Sequence, residues 1–183
     1  MKNFFAGAVV VAAMLGSTSG ARAQVNSSSR FGVSGGLTLP IGSLGDGVGT
    51  GFNIQGHASM KPSAFPLGLR GDVGLWTNSG KTVKAGGITG SNPSLTLFTV
   101  NGNVVYDFES AKDATFVPYV IGGAGIYSGN HNFGTHFGIN GGGGVTFKLA
   151  GFDAFVEGRI HNVFGDGGSA REIPVSFGIM WKP

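Results

Sequence analysis

Seven stretches of the chain alternate residue by residue between apolar or glycine positions and polar positions. In the clearest stretch, residues 136–149, odd positions carry Phe, Ile, Gly, Val and Leu, whereas even positions carry His, Gly, Asn, Thr and Lys. Successive side chains of a strand point to opposite faces, so the pattern predicts strands with one apolar and one polar face. The seven predicted strands are 30–39, 51–60, 67–76, 98–108, 136–149, 153–164 and 173–181.

An eighth predicted strand, residues 116–127, is rich in glycine and apolar on both sides, so its two faces cannot be assigned. Strands of about 10 residues have the length needed to cross a bilayer at a tilt. No segment has the pattern of a long helix. The connections alternate between longer and shorter, which is typical of outer-membrane barrels with long outer loops and short periplasmic turns. These predicted connections are 40–50, 61–66, 77–94, 109–114, 128–135, 150–151 and 165–172.

The first 23 residues have the organisation of a secretory signal peptide. Lys2 supplies a positive start, residues 4–15 are apolar, and Ala21-Arg22-Ala23 forms an A-x-A cleavage site before Gln24. The apolar stretch is too short to span a bilayer as a helix. We therefore expect residues 1–23 to be cleaved and residues 24–183 to form one domain.

Composition narrows the class of protein further. Without Lys2 and Arg22 the chain keeps ten basic and nine acidic residues, and no basic patch suggests a nucleic-acid partner. There is no cysteine, which excludes disulfides and thiol catalysis. Charged residues make up only 11% of the chain, whereas about a quarter is usual for soluble domains. We therefore do not expect the whole outer surface of the folded protein to be in contact with water.

The polar faces carry few charges, and several of these occur as close opposite pairs. Arg70 and Asp72 lie two residues apart in one strand, as do Glu157 and Arg159 in another. Side chains at i and i+2 share a strand face, so each pair can neutralise itself. An isolated buried charge costs roughly several kcal/mol, so a narrow lumen needs such pairing. We predict a polar lumen network of Arg70, Asp72, Asp107, Lys148, Glu157 and Arg159.

The apolar faces combine aliphatic side chains with aromatic side chains near the strand ends. A soluble sandwich would place its aromatics in the middle of strands, whereas membrane barrels gather them at the two interfaces. The apolar faces are therefore expected to contact lipid. The predicted lipid-facing aromatics are Phe31, Phe52, Tyr106, Phe108, Phe137, Phe147 and Trp181.

Short motifs add a resemblance to a known family. Besides the A-x-A site they are Leu39-Pro40-Ile41-Gly42 leading to Thr50-Gly51-Phe52, Pro118-Tyr119, Glu157-Gly158-Arg159, and the final strand ending at Trp181. With these, the chain resembles the small bacterial outer-membrane β-barrels of the OmpA transmembrane-domain and OmpX-like group in the porin family. The resemblance covers essentially all of residues 24–183. One departure is that Lys182 and Pro183 follow Trp181, where such proteins typically end on an aromatic residue that the assembly machinery reads.

Strand pattern and resemblance together predict an all-β, eight-stranded antiparallel up-and-down transmembrane β-barrel in the cell outer membrane of a Gram-negative-type envelope, with both termini in the periplasm. Its expected partners are outer-membrane lipid and, during biogenesis, the barrel-assembly machinery and periplasmic chaperones. We expect a monomer and no nucleic-acid partner.

The residues do not predict a catalytic, cofactor or metal site. The four histidines lack metal-ligand spacing and are expected to be polar loop and lumen residues. The segment His161-Asn162-Val163-Phe164 resembles the histidine region of outer-membrane lipid A deacylases only faintly, because Val163 stands where their serine is expected. We therefore expect a protein that is not an enzyme.

The predicted function is a structural or surface-interaction role through the outer loops. The loop from Asn78 to Ser94, which contains Lys81 and Lys84, is the best candidate for external contact. Two alternatives stay open: a narrow porin-like channel for small solutes, and a secreted soluble barrel that binds a small ligand.

Overall fold

In a computed structural model of the chain, residues 27–63, 65–85, 88–108, 114–131, 133–165 and 167–182 are described, with only the backbone for 27, 83–85, 88 and 89. The predicted signal peptide and its cleavage site therefore lie outside the described residues. The strands are β1 (Ser27–Ile41), β2 (Val48–Pro62), β3 (Leu67–Gly80), β4 (Thr82–Ala85), β5 (Ile88–Ser91), β6 (Leu95–Asp107), β7 (Phe116–Gly129), β8 (Gly134–Lys148), β9 (Asp153–Gly165) and β10 (Gly168–Trp181), and one short helix, α1, spans Ser43–Gly47.

Eight of the strands form a closed antiparallel barrel. Their order around the wall is β1, β10, β9, β8, β7, β6, β3 and β2, and β2 pairs with β1 to close the ring. Neighbours in sequence are neighbours in space, apart from the small β4–β5 hairpin, which lies in the connection between β3 and β6. The predicted eight-stranded up-and-down barrel is confirmed. No helix among the described residues is long and apolar enough to cross a membrane.

The alternation predicted from the sequence separates the inside of the barrel from the outside. On β2, for example, Asn53, Gln55 and His57 are buried, whereas Phe52 and Ile54 are exposed. The structure also assigns the faces of β7, which the sequence left open: Val117, Tyr119, Ile121 and Tyr127 point inward, and Phe116, Val120 and Ile126 point outward.

The strands are longer than the sequence pattern indicated. The eight barrel strands contain 13 to 15 residues because backbone pairing continues past the apolar bands into polar segments. The loops predicted at 128–135 and 165–172 were therefore too long, since β8 begins at Gly134 and β10 already at Gly168. At one end of the barrel lie α1, the β4–β5 hairpin and the β7–β8 and β9–β10 turns, here called the loop end. The other end carries the turns 63–66, 108–115 and 149–152.

Gly102 on β6 and Gly125 on β7 allow a test of which side of each strand points into the lumen. A methyl group at Gly125 would lie 2.3 Å from both the Val100 carbonyl oxygen and Asn101 Oδ1, whereas one at Gly102 would meet nothing within 4 Å. We predict that Gly125→Ala destabilises the barrel by about 1–3 kcal/mol through overpacking. Gly102→Ala should be neutral or stabilising by up to about 1 kcal/mol, since glycine weakens strands. Urea unfolding in detergent would measure both, and equal effects would contradict the assigned faces.

Candidate functional site

Four charged side chains meet in the middle of the barrel lumen. Arg70 places Nη1 and Nη2 each 2.8 Å from an oxygen of Glu157 and Nε 2.9 Å from Asp72 Oδ1. Arg159 lies 2.9 Å from both Asp72 Oδ2 and Glu157 Oε1. All four are buried. These residues, here called the charge quartet, therefore form a neutral group in which every charge has two opposite neighbours.

The charge quartet joins opposite walls of the barrel. Arg70 and Asp72 lie on β3, and Glu157 and Arg159 lie on β9. In the ring of eight strands, three strands separate β3 from β9 in either direction. An eight-stranded barrel is only wide enough for side chains to fill. The Arg70–Glu157 and Arg159–Asp72 ion pairs therefore cross the whole lumen.

Neutral side chains complete the hydrogen bonds of the charge quartet. Tyr119 donates to Glu157 Oε2 at 2.7 Å, and Asn103 Nδ2 donates to Asp72 Oδ2 at 2.9 Å. Arg159 also donates to Gln55 and Asn140 at 3.3 and 3.4 Å. Such saturation is what buried charges require if they are not to cost stability.

The other two residues predicted for the lumen network lie elsewhere. Asp107 accepts from Lys61 at 2.8 Å, and both side chains are partly exposed near the end of the barrel that carries the short turns. Lys148 lies at the end of β8, opposite Asp153. Both residues stand at strand ends, several positions away from the level of the charge quartet. The sequence showed the strand face of these residues but not their depth in the barrel.

A serine, a histidine and an aspartate form a chain that the sequence did not indicate. Ser34 Oγ lies 2.8 Å from His57 Nε2, and His57 Nδ1 lies 2.7 Å from Asp72 Oδ1. If Nδ1 donates to the carboxylate, Nε2 is left to accept from the serine hydroxyl, as in the catalytic triads of serine hydrolases. Register explains the contact, since His57 faces Asp72 directly and is diagonal to Ser34.

The surroundings of the hydrogen-bonded Ser34, His57 and Asp72 favour a structural role for these side chains over a catalytic one. Ser34 and His57 are each only 5% exposed, and the Phe155 ring packs edge-on against His57 at 5.5 Å. Asp72 also forms ion pairs with Arg70 and Arg159. Its negative charge is therefore shared with the two arginines and is not directed at His57 alone. A cavity of about 80 Å³ opens near the short turns, but Ser34 is not among its lining residues. We interpret the hydrogen bonds among Ser34, His57 and Asp72 as part of the polar network that fills the lumen.

Aromatic and apolar side chains fill the lumen towards the loop end. Trp76 of β3 and His161 of β9 meet across the barrel with ring centroids 4.7 Å apart. His161 Nδ1 lies 2.6 Å from the Tyr127 hydroxyl, which donates to Asn101 Oδ1 at 2.7 Å. Next to them lies a cluster of buried apolar side chains, here called the apolar cap. It consists of Val48, Leu95, Leu97 and Val163, with Leu44, Phe133 and Ala170 packed on top.

The seven predicted lipid-facing aromatics all lie on the outer surface. Phe52 and Phe137 are 66% and 51% exposed, and Phe31 is half-buried. Phe137 stacks on Phe164, and Tyr106 meets Phe108 edge-on, so the aromatics form clusters near the strand ends. Their contact with lipid stays a prediction.

The segments at the loop end are tied together. The Lys81 ammonium donates to the Gly45 carbonyl of α1, and Asn92 Nδ2 donates to the Gly47 carbonyl at 3.1 Å. Asn130, in the β7–β8 turn, accepts from the Thr96 amide at 2.9 Å. These bonds tie the base of the β4–β5 hairpin to α1, and the β7–β8 turn to the start of β6. Together α1, the hairpin base and the β7–β8 turn are here called the loop platform.

A groove of about 640 Å³ opens at the loop end between α1, the β7–β8 turn and the β9–β10 turn. It is lined by residues that belong to or pack against the apolar cap and by the hydroxyl side chains of Ser43, Thr135 and Ser169. The alternation of apolar and polar residues in the sequence did not predict this groove. The described residues also contain no group of three or more His, Cys, Asp or Glu side chains that could hold a metal ion.

Comparison with known families identifies the barrel. The family described as "Outer membrane protein beta-barrel domain" matches residues 9–179. The chain belongs to this outer-membrane β-barrel family. In such barrels the longer loops are extracellular and the short turns periplasmic, so the end that carries α1 and the β4–β5 hairpin is the one expected outside the cell.

Solved structures show the same fold. Neisserial surface protein A (NspA) is 16% identical, with a TM-score of 0.62 over 86% of this chain and 99% of its own. The outer membrane protein OprG from Pseudomonas aeruginosa is 13% identical, with a TM-score of 0.56 over 87% of this chain and 98% of its own. No curated protein sequence matches the chain.

Two buried glutamates allow a matched test of the charge quartet. Glu157 accepts from three groups, whereas no described residue gives the Glu172 carboxylate a hydrogen bond, although each residue is only 3% exposed. We predict that Glu157→Gln lowers the free energy of unfolding by about 3–5 kcal/mol, because it leaves arginine charge buried without compensation. Glu172→Gln should be neutral or stabilising, since it removes a buried carboxylate without a partner.

Urea unfolding of the refolded barrel in lipid vesicles would measure both variants, with the shift of electrophoretic mobility on heating as a check of folding. A Glu157→Gln variant as stable as the parent would refute the stabilising role of the charge quartet. A large loss in Glu172→Gln would show that charge alone does not explain the difference.

Proposed function

We propose that this outer-membrane barrel is a non-enzymatic surface-contact protein that acts through the loop platform. The observation that carries the proposal is the contrast between a filled lumen and a tied extracellular surface. Function in such folds resides in sites on the scaffold rather than in the scaffold itself. Here the scaffold presents α1, the β4–β5 hairpin and two turns to the outside.

The filled lumen supports this proposal over a solute channel. A permeating solute would have to pass the periplasmic ion pairs, the charge quartet, the Trp76–His161 contact and the apolar cap in turn. Opening the charge quartet would separate Arg70 from Glu157 inside a narrow space, and breaking a buried pair is costly. The lumen is therefore better suited to holding the wall together than to conducting.

The construction of the loop platform supports a binding role. Free loops lose conformational entropy when they bind, and this loss lowers affinity. The bonds from Lys81 and Asn92 to α1, and from Asn130 to the start of β6, already restrict these segments. A loop platform that is ordered before it binds loses less conformational entropy on binding, so more of its interaction energy contributes to affinity.

Binding of cells to defined surfaces would test the proposal. Cells that display the protein would be applied to a panel of immobilised host-matrix proteins and polysaccharides. A variant with residues 81–94 replaced by a short Gly-Ser turn should lose the binding that the parent shows. The matched control shortens the periplasmic turn 108–115 and should bind as the parent does. If both variants bind alike, or if the parent binds nothing on the panel, the proposal fails.

Planar-bilayer recording tests the channel alternative. The purified barrel should show no single-channel steps in KCl over a range of voltages, because the lumen is blocked at several levels. A double variant that removes the charge quartet pair, Arg70→Ala with Glu157→Ala, is the control for detection of a widened lumen. Regular conductance steps from the parent protein would support the channel instead.

A further inference from the structure

The β8–β9 turn, residues 149–152, is apolar and exposed to its tip. Leu149 and Phe152 are 48% and 42% exposed, and Ala150 and Gly151 between them are exposed as well. The Leu149 amide donates to the Phe152 carbonyl at 3.0 Å, and Gly151 supplies the left-handed conformation of the turn with a φ of 92°. Turns that face water are usually built with Asn, Asp or Ser. No side chain of this turn can hydrogen-bond to water.

The charges that flank the turn belong to the lumen side of the wall. Lys148 and Asp153 face each other in the register of β8 and β9. Asp153 binds Arg30 at 2.8 Å, and these two residues line the cavity near the short turns. Successive side chains of a strand alternate between its faces. Leu149 therefore continues the outer face of β8, and Phe152 continues that of β9.

The apolar outer face of this hairpin reaches the turn without a polar interruption. On β8 the outward positions from Phe137 to Leu149 are all apolar or glycine, and so are those of β9 from Phe152 to Ile160. At the loop end the outer face of β8 becomes polar at Thr135, whose hydroxyl group lies 2.9 Å from that of Ser128 on β7. The outer face of this hairpin is therefore bounded by polar residues at the loop end but not at the turn.

The β2–β3 hairpin, on the other side of the ring, is different. The outer face of β2 is apolar or glycine from Phe52 to Met60, exposed Thr50 precedes this stretch, and exposed Ser63 follows it in the turn. The two turns lie at the same end of the barrel. An apolar tip is therefore not a general property of the described turns at this end.

The length of the apolar face places the β8–β9 turn at a membrane interface. Phe137 stacks on Phe164 near the loop end, where interfacial aromatics are expected. From Phe137 to Leu149 the strand makes twelve steps. At about 3.3 Å a step and a tilt of about 40°, this stretch spans roughly 30 Å of the membrane normal, whereas the apolar band of such barrels is about 25 Å tall. The turn therefore lies about 5 Å past the band, at the boundary of headgroups and acyl chains.

We propose that the β8–β9 turn is an anchor that inserts into the phospholipid headgroup region of the periplasmic leaflet. The short turns are expected on the periplasmic side, and this turn continues the apolar outer face of an outer-membrane barrel. Insertion removes the Leu149 and Phe152 side chains from water, while the flanking charges stay on the lumen side. The inference goes beyond the surface-contact function, since it concerns the opposite end of the barrel.

Spin labelling at single cysteines tests the insertion, because the chain contains no native cysteine. Ala150→Cys would carry a nitroxide in nanodiscs of phosphatidylethanolamine and phosphatidylglycerol. Oxygen concentrates in the bilayer, whereas a nickel chelate stays in water. The ratio of oxygen to nickel collisions should be at least about threefold higher at residue 150 than at Ser63→Cys, the matched control in the β2–β3 turn. Ser91→Cys, at the loop end, should resemble Ser63→Cys.

Two further variants separate insertion from a local effect of the label. Leu149→Ser with Phe152→Ser removes the apolar side chains of the turn, so the ratio at residue 150 should fall to that at residue 63. Phe152→Cys is a second label position if Ala150→Cys does not fold, and its ratio should also exceed that at residue 63. The shift of electrophoretic mobility on heating would show that each variant is folded.

Equal ratios at residues 150 and 63 would overturn the proposal, whether both labels are in water or both in lipid. Dipolar coupling between residue-150 labels of different barrels, in vesicles with a large excess of lipid, would also overturn it, in favour of a second copy of the chain on the turn. None of these measurements involves the loop platform. Failure of the anchor is therefore distinguishable from failure of the surface-contact function.

Discussion

The ion pairs between β3 and β9 are the interaction on which the rest of this barrel depends. Eight strands enclose a space that side chains alone can fill, and the outer face of the wall is apolar. The polar residues must therefore satisfy one another inside. Arg70 with Glu157, and Arg159 with Asp72, do so across the full width of the lumen, at 2.8 and 2.9 Å. The wall is held closed from within, without a disulfide.

This constraint explains how the interior is layered. Above and below the charge quartet, neutral hydrogen-bonding groups take over, and His57 links Asp72 to Ser34 on β1. Towards the loop end the filling becomes aromatic and then apolar. Because the lumen is used for stability, we propose that binding is confined to the loop platform. Surface contact is therefore the function that this architecture leaves open.

The sequence predicted the features that depend on local spacing. Alternation showed the strands and their faces, and the i, i+2 pairs at 70–72 and 157–159 pointed to paired interior charges. It could not show which pairs meet across the lumen, because that depends on strand register around a closed ring. The Ser34–His57–Asp72 chain was missed for the same reason. Asp107 was predicted in the network, but its neighbour is Lys61, which lies just past the predicted end of the second strand. The groove was missed because its lining is rich in glycine and comes from turns, which leave no periodic signal.

A double-mutant cycle between Arg70 and Glu157 tests the central claim most directly. Arg70→Met, Glu157→Leu and the double variant would be unfolded in lipid vesicles, and the coupling energy would be obtained from the three changes in stability. If these side chains bind across the lumen, the double variant should be more stable than the sum of the single losses implies, with a coupling above about 1 kcal/mol. Losses that add to within about 0.5 kcal/mol would contradict the account, because residues on unconnected walls behave independently.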